Sequence, residues 1–172
     1  MITLVLGGAR SGKSEVAERL AARMGAAVTY VATIDAGEDP EMAARIAEHR
    51  DRRPASWRTE EAGAELPRLL LELEGPVLVD ALGGWVASSP RMEVDTGTLC
   101  AALAARRGDT VVVSEEVGMG VHPTSVSGRR FRDVLGALNR AVASVADDVL
   151  LVMAGRVLPL EDAAGFGGGG DL

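Results

Sequence analysis

The chain has 172 residues, 47% of them apolar and 25% charged, with a formal net charge of −7 and a pI near 4.9. That length suits one domain whose single core buries roughly 70% of the unfolded surface. The composition excludes wholesale disorder, and the acidity excludes a broad nucleic-acid or anionic-membrane surface, so an anionic ligand has to be gripped locally.

Aromatic residues make up only 3% of the chain, too few for a stacking platform on single-stranded nucleic acid. Cys100 is the lone cysteine, which excludes an intrachain disulfide or a multi-Cys zinc site and reads as a buried structural thiol. No basic leader and no apolar run of transmembrane length is visible, so a cytoplasmic protein without membrane contact is expected.

Strand and helix signals alternate, the pattern of an α/β protein with a mostly parallel sheet. Residues 2–6 predict a first strand and residues 13–24 a helix with Val16, Leu20 and Ala21 at core spacing. Between them runs Gly7-Gly8-Ala9-Arg10-Ser11-Gly12-Lys13-Ser14, a full match to Gly-x-x-x-x-Gly-Lys-Ser/Thr in the strand-to-helix context that the motif requires. Glycines there let backbone N–H groups turn inward around phosphate oxygens, and the helix start adds partial positive charge. Lys13 is placed to neutralise the outer phosphates and Ser14 to hold Mg²⁺. Of the 18 basic residues, 17 are Arg and Lys13 is the only Lys. A chain that otherwise uses arginine has kept the compact ammonium at the position where one must reach between phosphates.

A second strand is predicted over 27–32, followed by a loop over 33–38 on the same side of the sheet as the phosphate loop, where open α/β sheets bind ligands. Asp39 reads as an N-cap with Pro40 at the first helical position of a helix over 40–50. Residues 57–61 read as a polar connector, and 64–73 as a short helix broken by Gly75-Pro76. Residues 77–80 form a buried strand ending in Asp80, an acid placed to hold Mg²⁺ or its water in a phosphate-loop protein. Residues 81–92 are ambiguous because Gly83, Gly84 and Pro90 interrupt them. Further elements are a helix from Asp95 or Thr96 to about Arg107, a strand over 110–114 with a ligand-side loop over 115–120, a helix over 131–145, a core strand over 148–153 and a short edge strand over 157–160. The chain therefore divides into one domain over 1–162 and a flexible glycine-rich tail over 163–172.

One of the two histidines, His49, falls on a helical stripe with Met42 and Ile46, with Arg45, Arg50, Arg52 and Arg53 nearby. A lone histidine on an apolar stripe is usually packing. The arginines make a second reading available, because neighbouring positive charge keeps an imidazole neutral and able to attack while guanidiniums steady a polyphosphate. His122, in Gly120-Val121-His122-Pro123, has no such company and reads as a loop residue.

In order along the chain, the phosphate loop, Tyr30-Val31-Ala32-Thr33, Met42-Ala43-Ala44-Arg45-Ile46 with His49, Trp57-Arg58-Thr59 with Glu61, Glu116-Val117-Gly118-Met119-Gly120, and Phe131-Arg132-Asp133 with Asn139 resemble the adenosylcobinamide kinase/adenosylcobinamide-phosphate guanylyltransferase family. The likeness runs to about Val157. It implies a RecA-like parallel sheet, a homo-oligomer of trimeric form, and two activities in cobalamin biosynthesis. A nucleoside triphosphate, ATP or GTP, phosphorylates the aminopropanol hydroxyl of adenosylcobinamide; a histidine then takes GMP from GTP and passes it to adenosylcobinamide phosphate, giving adenosylcobinamide-GDP. By position His49 is that histidine. The likeness also places Ala32, Thr33, Ile34, Arg50, Asp51, Arg52, Arg53, Glu61 and Asp80 around the guanine nucleotide. The alternatives are a phosphate-loop small-molecule kinase with no covalent step, in which His49 packs, and a non-catalytic GTP-binding regulator. After Asp80 the family usually shows Cys-Leu-Thr and then Trp-Val-Ser/Thr-Asn, where this chain runs Ala81-Leu82-Gly83-Gly84-Trp85-Val86-Ala87-Ser88. Gly83 and Ser88 stand where a threonine and an asparagine are usual, and Glu115 stands where Asn or Ser is usual, adding negative charge beside the expected phosphate site.

Overall fold

A computed structural model of the chain describes residues 1–34, 47, 50 and 53–163. His49, Asp51, Arg52, the Asp39 cap and most of the helix expected over 40–50 lie outside the described residues, as does the tail from residue 164. Ala47 and Arg50 are helical and exposed.

Among the described residues, seven strands form one sheet: β1 (Ile2–Gly7), β2 (Thr29–Ala32), β3 (Arg58–Glu61), β4 (Val77–Asp80), β5 (Thr110–Glu115), β6 (Asp148–Met153) and β7 (Arg156–Leu160). Their order is β3-β2-β4-β5-β1-β6-β7, parallel throughout except for the antiparallel β6–β7 pair at one edge. This is the mostly parallel α/β architecture expected from the sequence. The helices are α1 (Lys13–Met24), α2 (Leu66–Glu72), α3 (Leu82–Ser88), α4 (Thr96–Ala105) and α5 (Val126–Ala143).

The central strands are apolar on both faces because both are covered, as parallel sheets require. Ile2 and Leu4 of β1, Val77 and Val79 of β4, and Val112 of β5 pack with Leu70, Trp85, Leu99, Leu103, Leu135 and Leu138 from α2 to α5. The alternate positions Val5, Leu78, Val111 and Val113 join Val16, Ala17 and Ala21 of α1 on the opposite face. Cys100 is only partly buried on α4 against the first of these clusters, and burial pushes its thiol pKa up.

Three segments differ from expectation. Residues 58–61, expected within a connector, form the edge strand β3, paired in register with β2 from Thr29↔Arg58 to Ala32↔Glu61. Arg58, Thr59 and Glu61 are exposed, so the strand carries no apolar alternation to announce it; its ladder to β2 holds it, and its charges guard the edge. The ambiguous segment after Asp80 becomes α3, in which Gly83 and Gly84 are buried. Helix α5 begins at Val126 rather than Phe131, because Ser125 caps it by accepting a hydrogen bond from the Gly128 N–H at 3.0 Å.

Arg106, just past α4, pins the start of the sheet. Its guanidinium donates to the carbonyls of Leu73 (3.3 Å), Gly75 (2.8 Å) and Asp109 (3.2 Å) and to Thr110 Oγ1 (2.5 Å). Burial pulls its pKa down, opposed by the charge of Asp109.

Candidate nucleotide site

Strands β1 to β5 all run the same way, so their carboxyl ends carry the candidate residues to one rim of the sheet. On that rim the register sets Gly7 beside Glu115, and Ala32 between Asp80 and Glu61. One strand, β5, separates the phosphate-loop strand from the strand ending in Asp80, a gap of two interstrand spacings, about 10 Å.

The loop is built around positions only glycine can fill. At Gly7 a Cβ would stand 2.7 Å from the Val152 carbonyl oxygen and 2.5 Å from Ser11 Oγ. Gly12 precedes α1 at φ 90, in the left-handed region. Arg10 also adopts a positive φ of 56, so the chain doubles back across the turn. The Ser11 N–H donates to the Gly8 carbonyl at 3.3 Å, and the Gly155 N–H of the β6–β7 turn donates to the Ser11 carbonyl at 2.9 Å, buttressing the loop from outside. Lys13 is buried, with 7% of its side chain exposed. Its Nζ donates to the Gly8 carbonyl at 3.4 Å and lies 3.8 Å from Glu115 Oε1. Ser14 follows it, half-buried, in the first turn of α1, while Ala9 and Arg10 are exposed on the loop crest.

The neighbouring segments interlock. Thr33 Oγ1 accepts from the Ala81 N–H at 3.0 Å and donates to the Ala81 carbonyl at 2.5 Å, tying the end of β2 to the end of β4. Ile34 occupies the space a side chain at Gly84 would need, with Cγ1 2.1 Å from an added Cβ. Asp80 is half-buried and accepts a hydrogen bond from Tyr30 Oη at 2.8 Å. The Arg53 guanidinium stacks on the Tyr30 ring, 3.6 Å from its centroid. Burial above all, then the charge and hydrogen bond of Asp80, drives the Tyr30 pKa far above its usual value, with Arg53 opposing. Thus Lys13, Ser14, Thr33, Ile34, Glu61 and Asp80 share one rim, with Arg53 set back over Tyr30 and Thr59 of β2 and β3, whereas His49 lies outside the described residues.

Sequence reasoning missed two contacts here. Tyr30 belongs to the family-like run Tyr30-Val31-Ala32-Thr33, but nothing in the sequence signalled its hydrogen bond to Asp80. Gly83 and Glu115 were read as separate peculiarities, yet the Gly83 N–H donates to Glu115 Oε2 at 3.1 Å and the two make one feature. Elsewhere, an open cleft of about 350 Å³ is lined by Ser89, Arg91, Met92 and Arg130. Both its arginines already pair with Glu93, at 3.0 and 3.2 Å. His122 is exposed in its loop, with Nδ1 2.7 Å from Arg132 Nη1. No described helix is long and apolar enough to cross a membrane.

The sequence profile of the family described as cobinamide kinase / cobinamide phosphate guanyltransferase matches residues 3–160. The bifunctional adenosylcobalamin biosynthesis protein CobP of Pseudomonas aeruginosa is 44% identical over 170 residues, covering 94% of this chain and 98% of its own. Its counterpart CobU of Salmonella typhimurium is 38% identical over 179 residues, covering 90% and 97%. Among solved structures, the P4 protein of bacteriophage phi6 in complex with ADP aligns at a TM-score of 0.42 and 13% identity, over 91% of this chain and 52% of that one. With a family profile matched almost from end to end and relatives similar over nearly their whole length, this chain belongs to the cobinamide kinase / cobinamide phosphate guanyltransferase family.

Proposed function

We propose that this chain carries both activities of its family, phosphorylating adenosylcobinamide with ATP or GTP and then transferring GMP from GTP to the product to give adenosylcobinamide-GDP. The observation that carries the reading is Lys13, the chain's only lysine, buried with its ammonium on the Gly8 carbonyl inside a glycine-built phosphate loop. In the first step the loop amides and Lys13 offset charge spreading over the transferred phosphoryl group. Mg²⁺ fits the donors available: Ser14 and Asp80 offer one hydroxyl and one carboxylate, hard oxygens, and no group of three or more His, Cys, Asp or Glu among the described residues competes as a cage. Held by the Ser14 hydroxyl and the Asp80 carboxylate, Mg²⁺ would supply further charge neutralisation at the phosphates.

In the second step a nitrogen of His49 attacks the α-phosphorus of GTP. An N–P bond forms, the α–β bridging P–O bond breaks and pyrophosphate leaves. A phosphate oxygen of adenosylcobinamide phosphate then displaces the histidine. Two easier displacements replace one difficult meeting of large anions. Support for His49 comes from its place in the family-like run 42–49 and from its arginine neighbours in sequence, of which Arg53 lies on Tyr30, the hydrogen-bond donor to Asp80. Thr33, Ile34, Arg50 to Arg53 and Glu61 complete the nucleotide's surroundings. We further propose a cytoplasmic homotrimer, in keeping with its nucleotide substrates and with the exposed apolar residues Met153, Leu158 and Leu160, which share one face of the edge hairpin β6–β7.

The test is incubation with α-labelled GTP. The native protein should retain label in an acid-labile, alkali-stable bond and release pyrophosphate, and His49→Ala should do neither while still binding nucleotide. Label retained by His49→Ala would defeat the assignment of that residue, and no label on either protein would leave a kinase without a covalent step.

A further inference from the structure

Resting on the phosphoryl-transfer half of the function proposed above, we propose that Glu115 is the proton acceptor for the attacking hydroxyl of the acceptor substrate, held in place by a glycine at position 83. Glu115 ends β5 directly beside Gly7, so it stands at the mouth of the phosphate loop. Its carboxylate is held at both oxygens: Oε1 lies 3.8 Å from Lys13 Nζ, and Oε2 accepts the Gly83 N–H at 3.1 Å. Its main chain is fixed as well, since Asn139 Nδ2 donates to the Glu115 carbonyl at 2.9 Å while Asn139 Oδ1 accepts from Ser114 Oγ at 2.5 Å.

The seat exists because residue 83 has no side chain. A Cβ there would stand 2.1 Å from Glu115 Oε2 and 2.9 Å from its Cδ. Gly83 lies within α3 and has no left-handed φ, so nothing in the backbone demands glycine. A glycine kept inside a helix, where it weakens the element, is accounted for by the carboxylate that fills its space.

Electrostatics then narrows what Glu115 can do. A triphosphate drawn to Lys13 brings its negative charge up to a carboxylate that cannot retreat towards Gly83. Two anions at that range repel unless a hydrogen donor comes between them. The acceptor's hydroxyl is such a donor, giving its hydrogen to Glu115 and turning a lone pair to the terminal phosphorus. As the new O–P bond forms and the bond from that phosphorus to the bridging oxygen breaks, the hydroxyl proton passes to Glu115 Oε1 and the nucleoside diphosphate leaves. The Lys13 ammonium remains to balance the diphosphate. Glu115, with 29% of its side chain exposed, then returns the proton to water.

Steady-state phosphorylation of adenosylcobinamide, with ATP and separately with GTP, tests this on the native protein, Glu115→Gln and Gly83→Ala. Glu115→Gln keeps the size and the acceptor for the Gly83 N–H but is no base; kcat should fall about 100-fold or more with the nucleotide KM within about threefold. Gly83→Ala keeps the charge and evicts it from its seat, and kcat should fall about tenfold or more while thermal unfolding shows a folded protein. It carries the test by itself if Glu115→Gln does not fold. Native kcat in Glu115→Gln, or a lower nucleotide KM at unchanged kcat, would overturn the proposal and leave Glu115 a mere counter-charge to Lys13. A native protein that transfers GMP to adenosylcobinamide phosphate but cannot phosphorylate adenosylcobinamide would sink the kinase reading and this role together.

Discussion

Removing one hydroxyl, in Tyr30→Phe, should change both the strength of the fold and its response to alkali. Tyr30 is the chain's only tyrosine, 6% exposed, and its hydroxyl donates to Asp80 at 2.8 Å. Near neutral pH the variant loses a hydrogen bond to a charged acceptor, about 1.5–3 kcal/mol. The pH dependence has a definite sign. Folding raises the phenol's pKa, chiefly by burial and then by the charge and hydrogen bond of Asp80, so the folded state favours the neutral ring. That stability is fully present below the unfolded pKa of about 10 and is lost as pH rises beyond it. By pH 11 the loss in the native protein is roughly 1.4 kcal/mol, and Tyr30→Phe has none of it. Urea unfolding of both proteins from neutral pH to pH 11 should therefore show a gap that narrows by about 1.4 kcal/mol at the alkaline end. Phenolate absorbance reports the same event directly, since no other tyrosine contributes. It should rise only as circular dichroism records unfolding. A phenolate forming at about pH 10 in a folded chain, or a gap that stays constant, would refute the reasoning.

Arg106→Ala should cost about 3 kcal/mol, because it strips the shared donor from the carbonyls of Leu73, Gly75 and Asp109. Calorimetry should show Tm lowered by roughly 6–12 °C, and a shift under about 2 °C would contradict the pinning role. Gly84→Ala would place a Cβ 2.1 Å from Ile34 Cγ1 and 2.8 Å from Thr33 Oγ1, displacing the segment after β2. Isothermal titration with GTP should find affinity about tenfold weaker, and an unchanged Kd would remove Thr33 and Ile34 from the nucleotide's surroundings.

What could be read from the sequence was whatever rested on short-range pattern. The phosphate loop announced itself through fixed glycine spacing between an apolar strand and an amphipathic helix, and Asp80 through the run Val77-Leu78-Val79 before it. What could not be read depended on partners distant in the chain. β3 exists through its ladder to β2 and has no apolar face of its own. The two glycines of α3 look like breakers until Ile34 and the Glu115 carboxylate are seen in the space they leave. Arg106 resembles any other arginine at a helix end, although it collects carbonyls more than 30 positions away at Leu73 and Gly75. Glu115 stood out in sequence as surplus negative charge, and only the fold reveals Lys13 and the Gly83 amide beside it.

The scarcity of lysine has a practical corollary. An acylating reagent meets two amines in the folded chain, the amino terminus, half exposed and bound to Asp109 at 2.9 Å, and the ε-amine of Lys13, 7% exposed within the phosphate loop. The first should tag readily and the second slowly, and bound triphosphate should shield the second further. Whole-protein mass spectrometry after a brief pulse of reagent would then count empty and occupied molecules in the native enzyme, with no engineered probe.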